Sequence, residues 1–453
     1  MGGLRLKNSL PPSQKERKMT DFGTLYEAKR STAEDLAARV ESGWLIGMDA
    51  AVAGAPCILE ALAKRAGKDE LKGVRIQTLL DVYPYPFYAD NSLFGKLTGE
   101  AWFSGGGARK AVNAGFADTI PNYYRDCPGL IRKGEDYDLF IASVSPMDKH
   151  GYFSLGATCS YSPAMLEKAK RVFLEVNDRQ PRAVCGGQIH ISQVDGFVET
   201  SYALPVLPPT KQDAISRQIG GLIAERIDDG SCIQLGIGAI PDAVGAALTA
   251  KHDLGIHTEM FTDSMVELIQ CGAVNNSKKQ IHRGQSVTTF AFGSQRIYDY
   301  IDDNPGIAIL PVDYVNDPNV ICRNDNMISI NAALEVDLWG QVCAESVGTK
   351  HMSGTGGQVD YVRGATQSRG GKSFIAFSST TKNDTISKIK STLTPGAVVT
   401  TSKNDVDYIV TEFGVAHLRG ESLASRARQL IAIAHPNFRD ELTFEAKKRG
   451  ILI

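Results

Sequence analysis

Apolar positions in the second half of the chain change period in a regular order. Between Asp213 and Gly230, Ile215, Ile219, Leu222, Ile223 and Ile227 recur at three- and four-residue spacing, one face of a helix that stops at Gly230. The apolar run in "SCIQLG" (231–236) is short and continuous, as in a strand covered on both faces. "GIGAIP" then turns the chain and places Pro241 in the first turn of the next helix, where proline is tolerated. "LGIHTEMF" (254–261) predicts the following strand, so the order is β-turn-α-β and the sheet is parallel. "PGIAILPVDY" (305–314) and "KSFIAFSS" (372–379) predict further strands.

The first half repeats this order. "WLIGMDAAVAGAPCILEALAKRA" reads as strand, glycine-containing turn, proline and apolar helix, and Pro56 stands 185 residues before Pro241. "LFIASVSPMDKHGYFSLG" and "ISINAALEVDLWGQVCAES" each read as strand, Asp-x-x-Gly turn and strand, with Asp148 and Asp337 189 residues apart. The expected fold class is therefore α/β, with two tandem, similar domains and mainly parallel sheets. Pro-rich "LPVLPPT" (204–210) marks the boundary, because proline blocks both helix and central strand. This gives an N-terminal domain over 19–207, a C-terminal domain over 208–453, and a solvated tail over 1–18.

Composition narrows the function. The chain has 453 residues, 43% hydrophobic and 22% charged, enough for two or three domains. A formal net charge of −2 from 49 basic and 51 acidic residues argues against nucleic acid or a membrane surface as partner and for small molecules. The eight cysteines are scattered, with no CxxC pair, as expected for reduced thiols in a cytoplasmic protein. No run of about 18 apolar residues suggests a membrane span, and the first segment lacks the apolar core of a secretion signal.

In an open parallel sheet, ligands bind beyond the carboxyl ends of the strands. Glu259 closes its predicted strand, and the glycine turn after "CIQL" opens on the same edge, so a carboxylate stands beside a backbone cradle at a helix start. On local sequence the carboxylate reads equally as a helix cap or ion-pair partner. Other chemistries lack a motif. "LGIGAIPD" has Pro241 where a dinucleotide fingerprint needs its third glycine. "TQSRGGKS" has Thr366 where a P-loop needs its first, and GxSxG, HExxH and metal-ligand spacings are absent.

"LGIGAIPDAV", "LGIHTEMFTDSMVELIQCGAVNN", "NAALEVDLWGQV", "SGTGGQVDYVRGA" and "TEFGVAHLRGESLASRARQLIAIAHPNFRDEL" together resemble the acetyl-CoA hydrolase/transferase branch of the class I CoA-transferases, which includes 4-hydroxybutyrate and butyryl-CoA:acetate transferases. The resemblance runs in order from about Leu25 to the C-terminus. It implies an active site between the two halves and ping-pong exchange of CoA between a short acyl-CoA and acetate or another small acid. Glu259 would be the nucleophile, passing through a glutamyl-CoA thioester. An ionised carboxylate, with an unperturbed pKa of about 4.3, would need no general base at neutral pH.

By the same resemblance, Asn316 in "YVNDP" and the backbone N–H of Gly357 in "GTGG" would stabilise the oxyanion. Gly236, Ile237, Gly238, Ala239 and Ile240 would hold CoA, with Gly354, Gly356 and Lys382 contributing. Arg109 would orient a substrate carboxylate or support a helix start, and His257 reads as structural. Glu199, Glu335 and Glu412 are rival carboxylates on local pattern alone. No permanently bound cofactor and no metal are expected; CoA esters are substrates, and homo-oligomerisation is left open. The alternative activities are an acyl-CoA hydrolase using the same glutamate and a non-catalytic CoA-binding protein.

Overall fold

Two large sheets carry the chain. The computed structural model describes residues 22–208 and 210–453, without the side chain of Lys382, and the tail expected over 1–18 lies outside the described residues. In the first sheet the seven strands lie side by side as Asp118–Thr119, Leu97–Phe103, Val74–Leu79, Leu45–Met48, Leu139–Val144, Val172–Asn177 and Gly196–Thr200, all parallel. The second has six strands in the order Gly255–Ile256, Cys232–Leu235, Met327–Ala332, Lys372–Ala376, Tyr408–Thr411 and Gly414–His417. Its last pair is antiparallel and the others are parallel. Every residue of Leu45–Met48, Leu139–Val144 and Cys232–Leu235 is buried, which explains why these strands are apolar without alternation.

The repeat seen in the sequence is a repeat of sheet topology. Leu45–Met48 lies between the next strand in sequence and Leu139–Val144; Cys232–Leu235 lies likewise between Gly255–Ile256 and Met327–Ala332. After each comes the proline-bearing helix, Pro56–Gly67 in one case and Ala239–Ala247 in the other. The two Asp-x-x-Gly segments are turns of one kind. Asp148 Oδ1 accepts the N–H of His150 and Tyr152, Asp337 Oδ1 accepts those of Trp339 and Gln341, and Gly151 and Gly340 take φ of +85° and +84°.

Three expectations are corrected. The helix predicted to stop at Gly230 ends at Ala224, where Ile219 and Ile223 are buried but Ile215 is 37% exposed. "LGIHTEMF" is not one strand: Gly255–Ile256 pairs with Cys232–Ile233, whereas Met260–Phe261 pairs with Phe290–Ala291 in a separate ladder. "PGIAILPVDY" is a strand only over Ile307–Ile309, pairs outside the large sheets, and turns into the short helix Val312–Val315 after Pro311.

The proline-rich connection carries no regular structure over 201–208 but is tied down. Tyr298 donates to the Pro205 carbonyl at 2.6 Å, and the Leu207 N–H to that of Gly293 at 2.9 Å. One cluster of buried apolar side chains runs through both halves, from Phe140 and Leu174 to Ile233 and Ile330. Among the described residues, no helix is long and apolar enough to cross a membrane.

Candidate functional site

Glu259 sits where the chain changes sheets. After Ile256 it leaves the six-stranded sheet, and before Met260 it joins the Phe290–Ala291 ladder. The Glu259 carbonyl is held there by Thr288 Oγ1 at 2.8 Å and by the N–H groups of Thr289 and Phe290 at 3.0 and 3.3 Å. The side chain is half-buried at a cavity of about 160 Å³.

Two donors converge on the carboxylate. Asn316 Nδ2 lies 2.6 Å from Oε2, and the Gly357 N–H hydrogen-bonds the same carboxylate. Asn316 is fully buried between the helix Val312–Val315 and the helix Pro318–Ile321, which Asp317 caps and Pro318 starts. Gly357 caps the helix Gln358–Gln367, so the carboxylate faces a helix N-terminus, where negative charge is favoured. A side chain is excluded at Gly357: a Cβ there would lie 1.9 Å from Glu259 Oε2 and 2.3 Å from Asn316 Nδ2.

Burial pushes the Glu259 carboxyl up to about 7, while the Asn316 and Gly357 donors pull the other way. This corrects the expectation of a fully ionised carboxylate at neutral pH. Its neighbourhood is acidic, because Asp360 lies close by, buried and raised well above the usual carboxylate range by burial and by Glu259 itself. Arg125 partly compensates, with Nε 3.4 Å from Asp360 Oδ1.

The first half of the chain closes the site. Ser104 N–H donates to the Ser353 carbonyl at 3.0 Å and Tyr124 N–H to that of Gly356 at 3.2 Å, so backbone from both halves fixes the glycine loop. A Cβ on Gly354 or Gly356 would meet the Phe103 ring at 3.2 or 3.3 Å. Leu79, Leu80, Trp102, Phe103, Asn122 and Tyr124 form one wall of the cavity; Gln234, Leu235, Gly236, Ile237, Met260, Phe290, Asn331, Gln358 and Tyr361 complete it.

Of the residues singled out in the sequence, Glu259, Asn316 and Gly357 thus meet, and Gly236, Ile237 and Gly356 line the same cavity. Ile237 and Gly238 face a neighbouring groove of about 580 Å³, and Ala239 and Ile240 open the helix Ala239–Ala247 between. Gly354 lines a third hollow of about 350 Å³ beyond Trp102 and Asn122. The backbone of Lys382 lies in the turn Lys382–Asp384, which borders none of these cavities, and its side chain lies outside the described residues. Arg109 sits on the helix Gly106–Asn113, whose start is capped by Asp81, and does not line the Glu259 cavity.

His257 points away from that cavity, to the Val315 carbonyl, because the strand that would have put it on the face of Glu259 is broken between them. The rival carboxylates all have other partners. Glu199 pairs with Tyr26 and Arg30, Glu335 accepts from Thr394, and Glu412 from Ser379. Sequence reasoning missed Trp102, Phe103 and Tyr124. The available signal was the position of "AWFSGGG" at the carboxyl end of a buried strand, the same rule that pointed to Glu259.

Known proteins share this arrangement of chain. The family description "acetyl-CoA hydrolase/transferase N-terminal domain" matches residues 13–208, and "acetyl-CoA hydrolase/transferase C-terminal domain" matches 293–446. A succinyl-CoA:cyclohexane-1-carboxylate CoA transferase of Geobacter metallireducens is 48% identical, over 93% of this chain and 96% of its own. A 4-hydroxybutyrate coenzyme A transferase of Clostridium kluyveri is 44% identical, over 95% of this chain and all of its own. The crystal structure of RipA from Yersinia pestis superposes with a TM-score of 0.91 at 38% identity, covering 96% of this chain and 100% of that one.

A half-buried carboxylate held by two donors, in a chain with two like α/β sheets and such relatives, defines an enzyme of the CoA-transferase class. The two domain matches together span more than half of the sequence. The chain belongs to the acetyl-CoA hydrolase/transferase family.

Proposed function

We propose that this protein moves CoA between a short-chain acyl-CoA, butyryl or 4-hydroxybutyryl among them, and acetate or another small carboxylate, with Glu259 as covalent carrier. The observation that carries the reading is the convergence of Asn316 Nδ2 and the Gly357 N–H on the Glu259 carboxylate at the cavity it lines.

Glu259 attacks the thioester carbonyl carbon and the C–S bond breaks, leaving an acyl-glutamyl anhydride and CoA thiolate. The thiolate attacks the glutamyl carbonyl; when that tetrahedral centre collapses, the free acid leaves and a glutamyl-CoA thioester remains. A second carboxylate runs the steps backwards. No proton needs to be transferred, which fits a lining that, among the described residues, holds no histidine, lysine or cysteine.

Both donors address an oxygen of Glu259 itself. They are therefore suited to the oxyanion that forms on the glutamyl carbonyl, each contributing on the order of 10² to 10³ in rate. The Gly236–Ile240 turn separates the reaction cavity from the outer groove, so the CoA arm would cross main chain at this turn, and its binding energy would assist the chemistry. The division into domains at 207/208 belongs to the same reading.

The test is intact mass spectrometry of the protein after incubation with acyl-CoA, followed by peptide mapping. A CoA adduct on Glu259, discharged by a carboxylate acceptor and absent from Glu259→Gln, is the expected result. An adduct at another residue, or acyl exchange retained by Glu259→Gln, would overturn the reading. Acyl-CoA consumption that is independent of acceptor would assign the hydrolase activity instead.

A further inference from the structure

We infer that the turn Tyr124–Asp126, in the first half of the chain, positions both donors of Glu259, and that Arg125 is the positioning residue whose side chain ties their carriers together. The inference rests on the CoA-transfer reading above. It adds a residue that does not line the cavity.

The two donors stand on elements with little stiffness of their own. Asn316 joins two helices of four residues each, Val312–Val315 and Pro318–Ile321, too short to hold their shape alone. Gly357 ends the loop "GTGG", in which Gly356 takes φ of +58°, a conformation that glycine adopts freely. Their placement has to come from outside.

The turn reaches each of them. The Tyr124 N–H donates to the Gly356 carbonyl at 3.2 Å. That carbonyl and the Gly357 N–H are the two ends of one planar peptide unit, so gripping one aims the other at Glu259. The Arg125 N–H donates to Asp360 Oδ2 at 3.3 Å, and Asp360 stands in the first turn of the helix that Gly357 caps. On its other side the turn packs against Val312–Val315, the helix that leads into Asn316.

The Arg125 guanidinium joins the two carriers. Its Nε lies 3.4 Å from Asp360 Oδ1, and its Nη1 lies 3.9 Å from Oδ1 of Asp317, the residue after Asn316. Asp317 also caps Pro318–Ile321 by accepting the Asn319 N–H, so it fixes the helix start beside the donor. Asp126 Oδ1, 3.5 Å from Nε, is the third carboxyl oxygen around the group. Burial and Glu259 raise the Asp360 carboxyl, and the charge and N–H of Arg125 oppose that rise.

The experiment compares Arg125→Met, which keeps the apolar stem, with Arg125→Lys, which keeps the charge without the fork. Arg125→Met should melt near the wild type and keep KM for acyl-CoA within about twofold, while kcat falls by about 10²-fold through displaced donors. Arg125→Lys should recover about tenfold of that loss. Deuterium uptake in peptides covering 316–321 and 353–360 should be faster in Arg125→Met than in the wild type. Adding Asp360→Asn to Arg125→Met should cost less than the two single losses combined, because both act through one contact. Full kcat in folded Arg125→Met, or strictly additive losses in the double variant, would overturn the proposal. If Arg125→Met does not fold, a folded Arg125→Lys with wild-type kcat would overturn it instead. Absence of acyl exchange in the wild type would overturn the transfer reading; unchanged deuterium uptake in Arg125→Met would then decide separately against the clamp.

Discussion

The imidazole Nε2 of His257 lies 2.8 Å from the carbonyl oxygen of Val315, the residue immediately before the asparagine that holds Glu259. Burial drives the His257 pKa down to about 3, so the ring is neutral and Nε2, facing a carbonyl, carries the proton. Tyr361 donates to the same oxygen at 3.3 Å. Two donors thus fix the peptide that precedes Asn316, and we propose that His257 positions it, with no proton to exchange.

His257→Phe should fold, because the site is apolar and of similar size, yet lower kcat by about 10²-fold through a small displacement of Asn316. KM for acyl-CoA should change little. His257→Gln, which keeps a donor, should retain more activity than His257→Phe. Steady-state kinetics of the two variants check this, and full kcat in His257→Phe would remove His257 from the site.

On the proposed mechanism, in which Glu259 attacks as the carboxylate, activity should fall as pH drops through about 7, because burial raises its pKa to there. The groups facing Glu259 are Asp360, Tyr124, Tyr361 and Cys127, each itself raised, so all remain largely protonated over this range. The Asn316 hydrogen bond favours the charged form. Asn316→Ala should therefore move the acid limb of the pH–rate profile to higher pH as well as lowering kcat by on the order of 10² to 10³.

Gly357→Ala should abolish exchange while the protein still folds, because its Cβ would displace Glu259 and Asn316 and disturb little else. Gly106→Ala, where a Cβ meets nothing within 4 Å, is the matched control and should keep full activity. Exchange assays beside circular dichroism distinguish the two.

A carboxyl whose pKa is raised on folding binds more protons in the native than in the unfolded state between about 4.5 and 7, so its contribution to stability is lost as pH rises through that window. Asp49 and Glu175, raised to about 7 by burial, act in the same direction. Thermal unfolding should therefore show Glu259→Gln with a higher Tm than the wild type at pH 8 and a smaller difference at pH 5. A lower Tm at pH 8 would contradict the buried-charge account.

Much of the architecture could be read from the chain. Parallel strands buried on both faces announce themselves as continuous apolar runs, and prolines at helix starts mark the turns between; hence the repeat around Pro56 and Pro241 emerged as repeated topology. Strand partners were harder. "LGIHTEMF" is apolar at both ends, yet only its first half pairs in the large sheet, because pairing is decided by neighbours distant in sequence.

The sequence by itself determined an α/β chain in two similar halves, the edge of the sheet where ligands would bind, and Glu259 with its glycine turns as the residues to watch. Tertiary structure alone decided what surrounds that carboxylate: an asparagine 57 residues away, an amide from the glycine loop, and an apolar wall from the other half. The physical reason is that backbone preference and apolar period are local. The pKa of a carboxyl and the shape of its cavity depend instead on which distant groups exclude water from it.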